Sequence, residues 1–194
     1  MRYIEAMIIR TEAELYTRIQ PYYSQVRMLA ESMPGLQELS ATLLLAETGV
    51  DMSVFESDKH FVSWAGLAPT NNESAGKKKS TRISRAGQYL KPLLITCALS
   101  AIRDKKQPYF AIKYGRLKKR RGHKKAIVAI ARMMLTCIYH MLSTGEVFNP
   151  SDYEETVSQQ QKVTAKSKEL NVEAAIAFLA AQGYDTSSIV PRAS

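Results

Sequence analysis

Ser74 stands in the stretch NNESAGKKKSTRISRAGQ (residues 71–88), three places before a basic run that opens at Lys77. A serine hydroxyl beside clustered cations could attack a phosphodiester, because the cations would stabilise the charge building on the equatorial oxygens. Lys77, Lys78, Lys79, Arg82 and Arg85 are the cations at hand. The two arginines are the first candidates, since a guanidinium forks onto two phosphate oxygens where an ammonium acts as a point charge. A solvated polar loop is the simpler reading of the same residues. The chain holds seventeen serines, so residue type alone singles out none of them.

Several other chemistries are excluded by spacing. No GxSxG elbow accompanies any serine, and no histidine lies close to Ser74 in sequence, so a local Ser-His-Asp arrangement has no support. AGKKKS lacks the first glycine and the preceding apolar strand of a phosphate loop. His60, His123 and His140 have no partners at metal-ligand spacing, and no metal site is expected within the chain. Cys97 and Cys137 lie in apolar stretches with no CxxC pair, which predicts reduced core thiols.

Charge supports a polyanion partner. The formal net charge is +9, but between Lys77 and Arg132 lie 18 of the 27 Lys/Arg and only one acid, Asp104. Such clustering is the footprint of nucleic acid, whose condensed counterions are released when phosphates are neutralised. Arg116, Lys118, Lys119, Arg120, Arg121, Lys124 and Lys125 form the second half of this basic window. Tyr109, Phe110 and Tyr114 are interleaved with it, as packed aromatics of a short helix or as base-stacking groups.

The elements that must hold these residues read as helices. Apolar residues at Ile4, Ile8, Leu15, Ile19, Tyr22, Val26, Leu29 and Met33 predict one long helix over 3–33, or two in series around Pro21. That seam serves either the domain's own packing or pairing with a second copy. Pro34-Gly35 turns the chain into a helix over about 36–47, a helix-hairpin-helix-like arrangement in which Gly35 is a candidate phosphate contact. Helices are also expected over about 57–65, 87–103 and 124–143. Trp64 is expected as a core anchor and His140 as a partly buried core residue. No apolar run reaches the roughly 18 residues of a membrane span, the best candidate (126–142) being interrupted by Arg132 and His140. After Asn149-Pro150 a polar linker is expected, followed by a short helix from Asn171 to Gln182.

The succession SMPGL, LLLAETG, FVSWAGLAPTNNESAG, TRISRAGQYLKPLL and the basic segment before AIVAIARMML resembles the C-terminal domain of the IS110 family of insertion-sequence transposases, grouped with IS116 and IS902. The resemblance spans about residues 30–150, with its specific part from Phe61 to Leu94. FLAAQGYDTSSIVP is similar to a short segment near the C-terminus of some relatives. The family places a serine just after a Gly-Leu-x-Pro turn, commonly as Glu-Ser-Gly, which implies that Ser74 is the nucleophile forming a phosphoserine link to DNA. Here Ala75 follows the serine and Gly76 comes one place later. The same resemblance implies DNA-backbone contacts for Arg82, Ser84, Arg85 and Gly87. The family's Pro-Gly-Ile-Gly turn has Gln37 in place of its second glycine.

Relatives also carry an RuvC-like domain whose acidic strands hold divalent metal, and some use a bridging RNA. Asp51, Asp58, Asp104, Asp152 and Asp185 are too scattered to make such a set. The resemblance therefore implies a split or truncated C-terminal part with no cofactor of its own and no activity alone, magnesium being expected only with an RuvC-like domain. The expected protein is mostly α-helical, with a segment over 1–33, a DNA-binding domain over 34–150 and a tail over 151–194. It is expected to be a bacterial cytoplasmic, nucleoid-associated homo-oligomer joined through residues 3–33, with DNA and a guide RNA as partners. The alternative is a non-catalytic helical DNA- or RNA-binding module.

Overall fold

A computed structural model describes residues 2–69, 72–74, 77–80, 83–84, 86–183 and 185. The N-terminal region forms two helices in series, α1 (Arg2–Ile19) and α2 (Tyr23–Ser32), joined by a 3-10 turn at Gln20–Tyr22. Pro21 sets that break, because it has no N–H to donate back along a continuous helix. The apolar seam divides here as well. Ile19, Val26, Leu29 and Met33 are buried, whereas Tyr3, Ile4, Ile8 and Ile9 on α1 stand open to solvent.

The Pro34-Gly35 turn leads into α3 (Glu38–Thr48), which stops at Gly49. Tyr23 donates its hydroxyl to the Glu38 carboxylate at 2.9 Å, tying α2 to the first turn of α3. A 3-10 turn at Met52–Val54 precedes α4 (Asp58–Trp64), whose N-terminus is capped by the Ser57 hydroxyl accepting from the His60 amide. Phe61, Val62 and Ala65 fill the inward side of this segment. Trp64 is not the core anchor expected of it. It lies at the margin, 43% exposed, its ring nearly parallel to Phe61 and tilted against Phe55.

The centre of this body is α7 (His123–Thr144), which packs against α2, α4, α5 (Leu90–Ala101) and α6 (Tyr109–Arg121). Its buried stripe, Ala126, Ile127, Ile130, Ala131, Met134, Leu135, Ile138 and Met141, follows helical periodicity. By length and apolarity α7 could cross a membrane, but here that stripe makes the core. Arg132 falls off the stripe, and so does His140. The histidine is exposed, edge-on to Tyr139, and not the partly buried residue expected. Tyr109 and Phe110 are buried, with Phe148 packed against both rings, so these two aromatics serve packing.

The chain divides into two units, Met1–Ser151 and Asp152–Ser194. In the second, the expected linker and short helix are one continuous helix, α8 (Tyr153–Ala181). Asn171 lies inside α8 instead of starting a helix. The stretch contains no glycine or proline and is rich in Gln, Glu, Lys and Ala, good helix formers whose polarity does not oppose a helix. The fold is mostly α, as expected. Among the described residues it also holds a small β-hairpin, where the sequence predicts a loop.

Candidate nucleic-acid interface

Ser74 is the last residue of β1 (Asn72–Ser74) and pairs in antiparallel register with Lys77, the first residue of β2 (Lys77–Ser80). Ala75 and Gly76 stand between them in sequence and lie outside the described residues. Glu73 pairs with Lys78 and Asn72 with Ser80, so the register shifts and Lys79 is the extra residue of a bulge. The backbone thus brings the candidate nucleophile beside Lys77 and within the same short ladder as Lys78 and Lys79. Arg82 and Arg85 lie outside the described residues.

The two arms continue to an isolated bridge between Pro69 and Ile83 and converge at a pair of glycines. Gly66 (φ +69°) and Gly87 (φ +71°) both adopt a conformation that L side chains rarely take. A Cβ on Gly66 would overlap the carbonyl oxygen of Ala86, and a Cβ on Gly87 would overlap the carbonyl oxygen of Ala65. The arms therefore meet backbone to backbone. Lys91, in the first turn of α5, reaches back from this point and donates its ammonium to the Ser84 carbonyl at 2.6 Å. Ser84 uses its own hydroxyl to accept from the Ala86 amide at 2.9 Å. The described contacts of Ser84 and Gly87, both expected at DNA, are within the hairpin root.

A second basic group lies where α6 meets α7. Gly122 alone joins the two helices, with φ +77°, and its amide donates to the Lys118 carbonyl. Tyr114 and His123 bridge the corner through a hydrogen bond of 2.8 Å between the hydroxyl and Nδ1. Arg116, Lys118, Lys119, Arg120, Arg121, Lys124 and Lys125 are all exposed there. Lys118 lies over the Tyr114 ring. Among the described residues, Lys119, Arg120, Arg121, Lys124 and Lys125 have no carboxylate partner. Cations at the end of α6 suit its dipole, but Lys124 and Lys125 in the first turn of α7 oppose that helix's positive end.

Gly35 has a packing role. Its φ is +78°, and a Cβ there would overlap the α5 backbone at Cys97 and Ala101. The neighbouring start of α3 carries Glu38, a negative charge in the position where an anion would have to approach. Among the described residues no three or more His, Cys, Asp or Glu side chains cluster as metal ligands. Sequence reasoning missed Gly66 and Lys91 as parts of the hairpin root. The glycine pair at 66 and 87, flanking the basic loop, was the available signal.

Comparison with known proteins places these residues in a lineage. Residues 27–115 match the model of the transposase IS116/IS110/IS902 family. The chain is 33% identical over 122 residues to the "Insertion element IS900 uncharacterized 42 kDa protein" of Mycobacterium paratuberculosis, covering 62% of this chain and 30% of that one. It is 31% identical over 101 residues to a "Probable family 20 transposase" of Pseudomonas aeruginosa, covering 52% and 29%. It is 29% identical over 119 residues to the "Insertion element IS110 uncharacterized 43.6 kDa protein" of Streptomyces coelicolor, covering 60% and 29%. The matched region thus spans about 30% of the length of each of these relatives. No solved structure matches the chain. The segment that runs from α2 into α6 is thus similar to the IS116/IS110/IS902 family of transposases.

Proposed function

We propose that this chain is the DNA-binding, serine-bearing part of an insertion-sequence transposase, with Ser74 as the nucleophile of DNA strand transfer. What carries the reading is the register of Ser74 at the turn of a hairpin inside the family-matched segment, next to Lys77 and on the same ladder as Lys78 and Lys79. In this chemistry the Ser74 oxygen attacks a DNA phosphorus. An O–P bond forms to serine, the P–O bond to the leaving strand breaks, and the serine proton is lost as the leaving oxygen gains one. Lys77, Lys78, Lys79, Arg82 and Arg85 hold the phosphate and its developing charge. Arg116, Lys118 to Arg121, Lys124 and Lys125 bind the DNA backbone on either side of the corner between α6 and α7.

On this reading an RuvC-like domain supplies the divalent metal. The exposed apolar side of α1 joins copies of the chain, consistent with Tyr3, Ile4, Met7 and Ile8 all lying open. The protein works in the bacterial cytoplasm on nucleoid DNA, with a bridging RNA as a further partner of the basic surface. The test is Ser74→Ala, assayed with a metal-binding domain of the same family supplied separately. DNA affinity is expected to stay within about twofold of wild type while covalent DNA attachment disappears. Normal strand transfer by the alanine variant would remove Ser74 from the chemistry.

A further inference from the structure

The geometry points to Lys91 as a positioning residue for the Ser74 hairpin, acting through both arms at the root; this rests on the reading of Ser74 given above. Lys91 lies in the first turn of α5, its own amide donating to the Gly87 carbonyl at 3.0 Å. Its ammonium donates to the Ser84 carbonyl, on the returning arm, at 2.6 Å. Its Cε lies 2.9 Å from the point a Cβ on Gly66, on the outgoing arm, would occupy. One side chain therefore touches both arms, its stem lying on one and its charge on the other. The small residue at 66 is what allows the stem to pass.

The placement runs against local preference. A cation in the first turn of a helix is opposed by the helix dipole, and α5 has no acid there to offset it. Lys91 is half-buried, so a phosphate does not have first access to its ammonium as it would to the exposed cations of the α6–α7 corner. A carbonyl of the returning arm accepts the charge-assisted hydrogen bond instead. Removing that bond frees the returning arm to shift against the outgoing one. Ser74 then no longer stands at a fixed place relative to the helical body.

The test uses Lys91→Met, which keeps the stem and removes the donor, and Lys91→Arg, which keeps a donor. Hydrogen exchange of the hairpin amides between residues 67 and 86 is expected to speed up roughly tenfold in Lys91→Met, with the amides of α7 unchanged, and to return toward wild type in Lys91→Arg. Covalent DNA attachment should fall by about tenfold or more in the methionine variant, with the salt dependence of DNA affinity unaltered. Unchanged hairpin exchange overturns the proposal, whatever the chemistry. Faster exchange with undiminished attachment also overturns it. A salt slope reduced by about one would make Lys91 a phosphate contact instead, again overturning it. If Ser74→Ala attaches to DNA as wild type does, the reading of Ser74 fails separately, and the exchange measurement still decides whether Lys91 holds the hairpin.

Discussion

Gly66 and Gly87 are each pressed against the chain neighbour of the other, Gly66 on the Ala86 carbonyl and Gly87 on the Ala65 carbonyl. Both hold a positive φ, so each is constrained twice, by conformation and by space. Gly66→Ala and Gly87→Ala are each expected to destabilise the protein by about 2 kcal/mol or more, read from chemical denaturation. The double variant should lose less than the sum, because either methyl alone already forces the arms apart. Gly145→Ala is the control: its φ is also positive, but nothing lies near its missing Cβ, so only about 1 kcal/mol of backbone strain is expected.

On the function proposed above, the corner between α6 and α7 is expected to set the salt dependence of DNA binding. Lys119, Arg120 and Lys124 are exposed and, among the described residues, unpaired with any acid. Replacing each by alanine should reduce the slope of log affinity against log salt by about 0.9 for every phosphate that is no longer neutralised. Stability should change by no more than about 0.5 kcal/mol, as expected of exposed positions. A slope unchanged in the triple variant would move the interface elsewhere.

Among the described residues, Thr42 inside α3 carries a buried hydroxyl with no hydrogen-bond partner. Valine has nearly the same shape and no polar atom to strand. Thr42→Val is therefore expected to raise stability by about 1 kcal/mol, measured by urea unfolding, and to leave DNA affinity alone.

Alkaline pH should weaken the fold at Cys97 first. Burial pushes this thiol above its ordinary value of 9.0, against a smaller opposing effect of a hydrogen bond with Ser40. The unfolded chain then loses the proton more readily than the native one, so the stabilisation is complete below about pH 9 and declines as pH rises further. Tyr23 follows the same sign at higher pH, its hydroxyl raised above 10.0 chiefly by the hydrogen bond to Glu38. The midpoint of unfolding should be insensitive to these two groups from about pH 6 to 8 and fall above about 9. In Cys97→Ala the first part of that fall should vanish.

Helix existence was legible from spacing because the core is built from helical stripes. The helix expected from Ser57 is present, and Pro21 breaks the N-terminal seam where proline chemistry requires. Trp64 and His140 were misplaced for one reason: an apolar stretch marks a helix, while the side of that helix facing the core depends on neighbours that sequence does not position. The C-terminal helix was hidden by its polarity, since polar residues without Gly or Pro are equally at home in linkers and exposed helices. The hairpin was invisible because KKKS has no apolar alternation, and its pairing is dictated by the turn and by the glycine root. Family resemblance singled out Ser74, and the fold added its register with Lys77.

Among the described residues, the glycine root and the Lys91 bridge tie the hairpin to the helices. The described core lies in the helices and their turns and takes in Leu67, just past Gly66, so the outgoing arm is anchored by a buried apolar side chain as well as by backbone contact.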